Sequence, residues 1–420
     1  MYSIYKLSNG LRIVTEKMEY LESVSIGVMV QNGSRNETLQ NNGISHFIEH
    51  MFFKGTEKRD SKKIITDIEN LGGQINAFTS KEATCFYVKT LSEHINSTID
   101  VLSDIIINSK FSEEEIEKEK KVINEEIKMS SDQPEDVLDD TFAKAAFGST
   151  SLSFPILGTK ETVNSFKRQD IIEFINEKYT PYNAVISVCG NFDEKELIKV
   201  ITEYFGKWTG KEYIPKYEKV ELENESISAK KDIEQLQISL GLNGIKYGDE
   251  KLLPSMALLN NIFGGGASSI LFQKIREEMG FCYSIGSYLQ PYQGIGVFNI
   301  YAFVNKKYSK EALSSIVSEV DKLSKKGISD ELMNINKEKI KANYVLGLES
   351  TTARMFKNAK TYLFLNKVRT QEDVIDSINK INQTSINDAL SCCFKKGVIN
   401  AAYLSNDDDK RIYDQIVFKK

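Results

Sequence analysis

The feature that most constrains this chain is that it repeats itself. An alternating run, Val24-Ser-Ile-Gly-Val-Met-Val30, returns as Leu236-Gln-Ile-Ser-Leu-Gly-Leu242, an offset of 236 − 24 = 212. A second pair of runs, Ala184-Val-Ile-Ser-Val-Cys-Gly-Asn191 and Val398-Ile-Asn-Ala-Ala-Tyr-Leu-Ser-Asn406, is also matched by 212, since 398 − 186 = 212. Two landmarks 186 − 24 = 162 residues apart that share one offset are what a duplicated structural unit leaves in a sequence. Duplication also suits the length of 420 residues, because single cores stop growing at roughly 250–300 residues. The expected organisation is a domain over 1–208, a linker over 209–231, and a related domain over 232–420. The linker region is dense in charge, contains Pro215 and lacks apolar periodicity.

Each half mixes strand and helix patterns. Runs such as Thr84-Cys-Phe-Tyr-Val-Lys-Thr-Leu91 alternate in the manner of half-buried strands. Such strands form mainly antiparallel sheets with helices packed on one face, so the expected class is α+β. Composition removes several functions. Hydrophobic residues make up 41% and charged residues 27%, a globular balance. No apolar run approaches the roughly 18 residues that a membrane helix needs. A net charge of −5 gives no reason to expect a nucleic-acid partner. Cys85, Cys189, Cys282, Cys392 and Cys393 are odd in number and scattered, which suits a reducing compartment. With no basic-then-apolar pattern at Met1 to Leu11, a cytoplasmic location is expected.

The chemistry concentrates in one short segment. Of three histidines, two stand four apart with an acid between them, His46-Phe-Ile-Glu49-His50. Ile44 to Phe53 holds neither Gly nor Pro, so it reads as a helix, and residues i and i+4 share a helical face. Both imidazoles can then reach one metal ion, with Glu49 near a metal-bound water. This is the inverted zincin order, His-X-X-Glu-His. Three histidines give three pairs, so such a spacing with an acid inside arises by chance in roughly 0.002 of comparable sequences. His94, in Leu91-Ser-Glu-His-Ile, reads as surface structure at a strand-to-helix turn.

A catalytic zinc usually has three protein ligands, and with His94 assigned to surface structure the third must be a carboxylate. The acid-rich helix expected over Ser112 to about Ser130, opened by the capping box Ser112-Glu-Glu-Glu115, is the natural source. At about 100° per residue, Ile116, Val122, Ile123 and Ile127 fall in one arc that also contains Glu119 and Glu126, whereas Glu117 and Glu125 lie outside it. A carboxylate on an apolar face needs a partner. Periodicity leaves open whether that partner is a metal ion or a lysine or arginine.

The segment His46-Phe-Ile-Glu-His-Met-Phe-Phe-Lys-Gly-Thr56 resembles the active-site segment of the pitrilysin family of zinc metallopeptidases, which includes insulin-degrading enzymes and the mitochondrial processing peptidase. It is most similar to the bacterial processing-peptidase-like members. Further similar segments are Gly72-Gly-Gln-Ile-Asn-Ala-Phe-Thr-Ser-Lys-Glu-Ala-Thr84, Glu117-Lys-Glu-Lys-Lys-Val-Ile-Asn-Glu-Glu-Ile127, Phe154-Pro-Ile-Leu-Gly158 and Leu271-Phe-Gln-Lys-Ile-Arg-Glu-Glu-Met-Gly-Phe-Cys-Tyr283. The resemblance implies that His46, His50 and Glu126 bind zinc, one ion per chain, with Glu49 as general base and Glu119 as a supporting acid. It implies that Asn76, Ala77 and Phe78 form the edge strand on which a peptide docks, and that Arg276 and Tyr283 hold the substrate backbone from the C-terminal half. Ile270 stands where many members carry arginine, and Gly264-Gly-Gly266 is a short version of the family's glycine-rich turn. Both departures bear on substrate preference.

The resemblance further implies cleavage of peptides or unfolded segments inside a chamber closed by two copies of the chain. It also takes in non-catalytic core and partner subunits of the same architecture. The complete ligand set favours the catalytic reading. A zinc hydrolase acting on small molecules is a further alternative, opposed by the duplicated scaffold and the docking-strand match.

Overall fold

The computed structural model describes residues 2–418. They form two compact units: the chain up to Lys128 with Phe154–Lys216 and Leu346–Arg369, and Met129–Ser153 with Tyr217–Val345 and the chain from Thr370 onward. The contiguous division at 1–208 and 232–420 is therefore corrected in two places. Residues 129–153 of the first half belong to the second unit, and residues 346–369 of the second half belong to the first. The linker is shorter than expected as well. Residues 209–225 lack regular structure, but Ser226–Lys230 forms a strand.

The first unit holds β1 (Tyr2–Lys6), β2 (Arg12–Lys17), β3 (Ser23–Val30), β4 (Gln74–Thr79), β5 (Thr84–Leu91) and β6 (Ala184–Gly190), in the order β1-β2-β6-β3-β5-β4. The second holds β7 (Ser226–Lys230), β8 (Gln235–Asn243), β9 (Cys282–Pro291), β10 (Gly296–Asn305) and β11 (Asn400–Ser405), in the order β7-β11-β8-β10-β9. Each sheet is antiparallel except for one parallel pair, β2 with β6 and β7 with β11. Without β1 the two orders coincide, as a duplicated α+β chain requires. The constant offset does not survive, however. Met29 pairs with Val185, and its counterpart at 29 + 212 = 241, Gly241, pairs with Asn400, so the last strands are 400 − 185 = 215 apart.

The central strands show why the alternation in the sequence says less than it promises. Val24, Ile26, Val28 and Val30 face a core that contains Phe47, Met51, Phe52, Ile99 and Leu102. The intervening positions are small or apolar, and the helix Thr351–Leu365 covers them. Ser25 Oγ lies 2.8 Å from Thr351 Oγ1. A Cβ on Gly27 would stand 2.4 Å from Met355 Sδ, and Met29 packs with Ala359, Tyr362 and Leu363. In the second unit, Leu236, Ile238, Leu240 and Leu242 face one core. The opposite face, with Val297, Ala402 and Leu404, receives Leu138, Phe142 and Ala146 from the helix Pro134–Phe147. Helices thus cover both faces of each sheet, where alternation alone suggested one. Each half of the chain supplies a helix to the other half's sheet.

No helix among the described residues is long and apolar enough to cross a membrane. All five cysteines are free thiols, and four of them are buried.

Candidate metal centre

The helix Ile44–Met51 buries Ile44, Phe47, Ile48 and Met51, a spacing of three to four that leaves the other side for His46, Glu49 and His50. Its start is fixed by contacts that sequence reasoning missed. Gly43 has φ 91°, and a Cβ there would meet Gly158 Cα at 2.7 Å. Only glycine combines that conformation with so close an approach, which gives Phe154-Pro-Ile-Leu-Gly158 a structural role. The buried Glu37 carboxylate accepts from the backbone N–H groups of Gly43 and Ser45, each at 2.8 Å, and from Asn42 Nδ2 at 2.9 Å. It satisfies donors that a helix N-terminus leaves unpaired. Burial is the largest influence on Glu37 and raises its pKa. Its partners are eight residues or fewer away along the chain but fit no local capping pattern, so no sequence signal marks it.

Glu126 comes from the helix Glu113–Asp132. Its Oε2 lies 3.6 Å from His50 Nε2 and 3.9 Å from His46 Nε2. The three residues offer ligand atoms that all lie within 4.8 Å of one another, the one such group among the described residues. Ligands about 2.0–2.1 Å from a tetrahedral zinc are about 3.4 Å apart, so a small contraction suffices to hold an ion. Two imidazoles and a carboxylate are a zinc donor set with a coordination position left over. The residues fit the metal.

Glu119 has a different place. Its side chain is 2% exposed, and its Oε1 accepts from His50 Nδ1 at 2.7 Å while Lys54 Nζ donates to its Oε2 at 2.6 Å. A carboxylate behind a ligating imidazole fixes the ring and leaves Nε2 for the metal. The two acids divide the alternatives left open by periodicity: Glu126 reaches the histidines' Nε2 atoms, and Glu119 pairs with a lysine and a histidine. Glu125 pairs outward with Lys128. Val122, expected on the apolar face, is exposed instead, because that face is narrower and runs through Ile116, Glu119 and Ile123.

Electrostatics suits metal capture. Burial first, then the neighbouring His50, lowers the His46 pKa to about 3, which keeps its ring neutral. Burial lowers that of His50, but Glu119, Glu126 and Glu49 together outweigh it, and the net shift is upward. Burial raises the Glu49 pKa despite a hydrogen bond from Thr79 Oγ1, which lies 2.5 Å from Glu49 Oε2. Thr79 is another residue that sequence reasoning missed. It ends β4, and only the sheet brings it to the helix.

Asn76, Ala77 and Phe78 lie on β4, the edge strand of its sheet. Asn76 is exposed, and Phe78 packs edge-on against Phe356. Arg276 and Tyr283 belong to the second unit, where the Arg276 guanidinium stands 4.4 Å from the Phe272 ring and 5.6 Å from that of Tyr283. Tyr283 is 76% exposed at the start of β9. His94 sits on a short turn beside Glu93 and takes no part in the cluster.

The chain matches two family models, "Insulinase (Peptidase family M16)" over residues 12–160 and "Peptidase M16 inactive domain" over residues 165–340. It is 41% identical over 387 residues to the "Uncharacterized zinc protease YmxG" of Bacillus subtilis (strain 168), covering 92% of this chain and 94% of that one. Among solved structures, a protease from Helicobacter pylori superposes with a TM-score of 0.89 at 22% identity, over 96% of this chain and 99% of that one. A chain in complex III2 from Candida albicans superposes at 0.85 and 19% identity, over 99% of both. At those identities the superpositions speak for the fold alone. The extent and identity of the Bacillus match place the chain in the M16 (insulinase) family of peptidases. Its relatives are named as zinc proteases, and the "inactive" model falls outside the segment that carries both histidines and Glu126.

Proposed function

We propose that this chain is a zinc-dependent endopeptidase that cleaves peptides or unfolded protein segments, with one ion per chain. The observation that carries the reading is the convergence of His46, His50 and Glu126 on one point, with Glu49 on the same helix and held by Thr79. Bound there, zinc supplies Lewis acidity, polarising a carbonyl oxygen and acidifying water. His46, His50 and Glu126 hold the ion, and Glu119 orients His50. Glu49 takes a proton from the attacking water and returns it to the leaving amine. Its burial and raised pKa suit a base that must give the proton back.

The unpaired edge of β4 accepts an extended peptide as an added strand, with Asn76, Ala77 and Phe78 along the contact. The half-buried Arg276 and the exposed Tyr283 beside it hold the substrate backbone. Two copies of the chain close a chamber that admits unfolded segments and excludes folded proteins, in the cytoplasm, where five free thiols are stable.

The test is to measure zinc content and turnover of unstructured peptides by wild type and Glu49→Gln. The variant is expected to keep its zinc and to lose at least ~1,000-fold in turnover; proton transfer alone is worth about 10²–10⁴-fold. Equal turnover removes Glu49 from the mechanism. Zinc binding with no cleavage of any peptide by wild type turns the reading to a non-catalytic subunit of this architecture.

A further inference from the structure

We infer that Lys54 is a positioning residue of the metal centre, holding the Glu119 carboxylate against His50 so that His50 presents Nε2 to the ion. The inference rests on the reading that His46, His50 and Glu126 bind the metal. Both oxygens of Glu119 are engaged, Oε1 by His50 Nδ1 at 2.7 Å and Oε2 by Lys54 Nζ at 2.6 Å. An exposed ion pair would mean little. This one is different because its acceptor side chain is 2% exposed and the lysine's 28%, and a buried carboxylate stripped of a partner is costly.

Lys54 is itself held in place. It follows the histidine helix in a turn closed by Phe53 N–H to His50 O at 3.0 Å and Lys54 N–H to Met51 O at 3.1 Å. The next residue, Gly55, has φ +117°, and its carbonyl accepts from Lys110 N–H at 3.1 Å. Thr56 Oγ1 then donates to the buried Asp104 at 2.7 Å, a carboxylate also bound by Arg59. The backbone of the turn is fastened on both sides of Lys54, which fixes the point from which its side chain reaches Glu119. The consequence reaches both ligand-bearing helices. Lys54 extends from the end of the helix that carries His46 and His50 to the helix that carries Glu126, and Glu119 receives it there. Lys54 thereby sets the ring orientation of one ligand and the spacing to another without touching the metal.

The experiment uses the full chain, zinc affinity by competition with a chromophoric chelator, and ¹⁵N spectra of His50 in the metal-free protein. Lys54→Met is expected to weaken zinc binding about 10–100-fold, the usual cost of losing a partner behind a ligand. Lys54→Arg is expected to recover most of that loss. In a Glu119→Gln background, Lys54→Met should change zinc affinity by less than about threefold, since its effect passes through Glu119. The ¹⁵N spectra should show His50 protonated at Nδ1 in wild type and a tautomer mixture in Lys54→Met. Wild-type affinity in Lys54→Met, additive losses in the double variant, or unchanged His50 signals would each overturn the inference. If Lys54→Met does not fold, Lys54→Gln replaces it in the same cycle. Peptide turnover is not read, so a chain that binds zinc yet cleaves nothing sinks the proposed function and leaves this one standing. A wild type that binds no zinc sinks the metal reading and this inference with it, whereas wild-type zinc affinity in Lys54→Met sinks this inference alone.

Discussion

Two helices occupy the same place in the two sheets. Ile44–Met51 follows β3 and precedes the edge strand β4, and Leu253–Phe263 follows β8 and precedes the edge strand β9. Both bury an apolar stripe, Ile44, Phe47, Ile48 and Met51 in one and Met256, Leu258, Leu259, Ile262 and Phe263 in the other. They differ in what the remaining positions do. In the first, His46 and His50 turn toward an acidic helix, and Glu49 accepts from Thr79 of β4. In the second, Asn260 and Asn261 bond to Ser287 and Asn336, and the helix has no histidine or acid. Packing uses only one stripe of a helix, so the other stripe is free to carry chemistry in one copy and structure in the other.

Zinc binding should separate the copies most sharply. Replacing His50 with Ala is expected to abolish zinc binding, whereas Asn260→Ala should leave zinc content at the wild-type value, read by elemental analysis. Within the acidic helix, Glu126→Gln should weaken zinc binding by more than the roughly 100-fold that loss of a second-layer partner reaches. Glu125→Gln, which removes an exposed pair with Lys128, should change it little. Equal losses would place the third ligand on the wrong face.

The exchanged helices give the next largest effect. Phe142 and Met355 are 2% and 0% exposed, so Phe142→Ala is expected to cost about 3–5 kcal/mol and Met355→Ala about 2–5 kcal/mol. Hydrogen exchange should show where. Phe142 lies in the first half of the chain, yet its loss should speed exchange in β8 and β11; loss of Met355 should do so in β3 and β6. Exchange that rises in the same half as the mutation would break the swap.

A smaller effect concerns acid. Asp104 is buried, which raises its pKa, but Thr56, Asn108 and Arg59 outweigh burial and the net shift is downward. A depressed carboxyl contributes stability that is complete above its unfolded value, about pH 4, and is lost as pH falls through the folded value. Asp104→Asn should cost about 1.5–3 kcal/mol at neutral pH and flatten the wild type's loss of stability below pH 4, measured by denaturant titration across pH. An unchanged acid profile would assign the acid sensitivity elsewhere.

The residues legible in advance were those whose meaning is local. His46, Glu49 and His50 share a helical turn, and spacing alone brings them together. Glu126 was half legible: helical period set it on the inner arc beside Glu119, but the same arc took in Val122, which faces solvent. Lys54 and Thr79 were not legible as site residues, because each meets its partner through the packing of separate elements; Glu37 was not, because its nearby partners fit no capping pattern.

The same boundary runs through the fold. Alternation and the repeated order of strand runs determined the duplication, the α+β class and the run of strands, since these follow from which side chains must leave water. The exchange of Pro134–Phe147 and Thr351–Leu365 between the two halves of the chain was decided only in three dimensions. Ser25, Gly27 and Met29 are as compatible with water or a neighbour as with that helix, and no periodicity within β3 tells which of them will come to cover it.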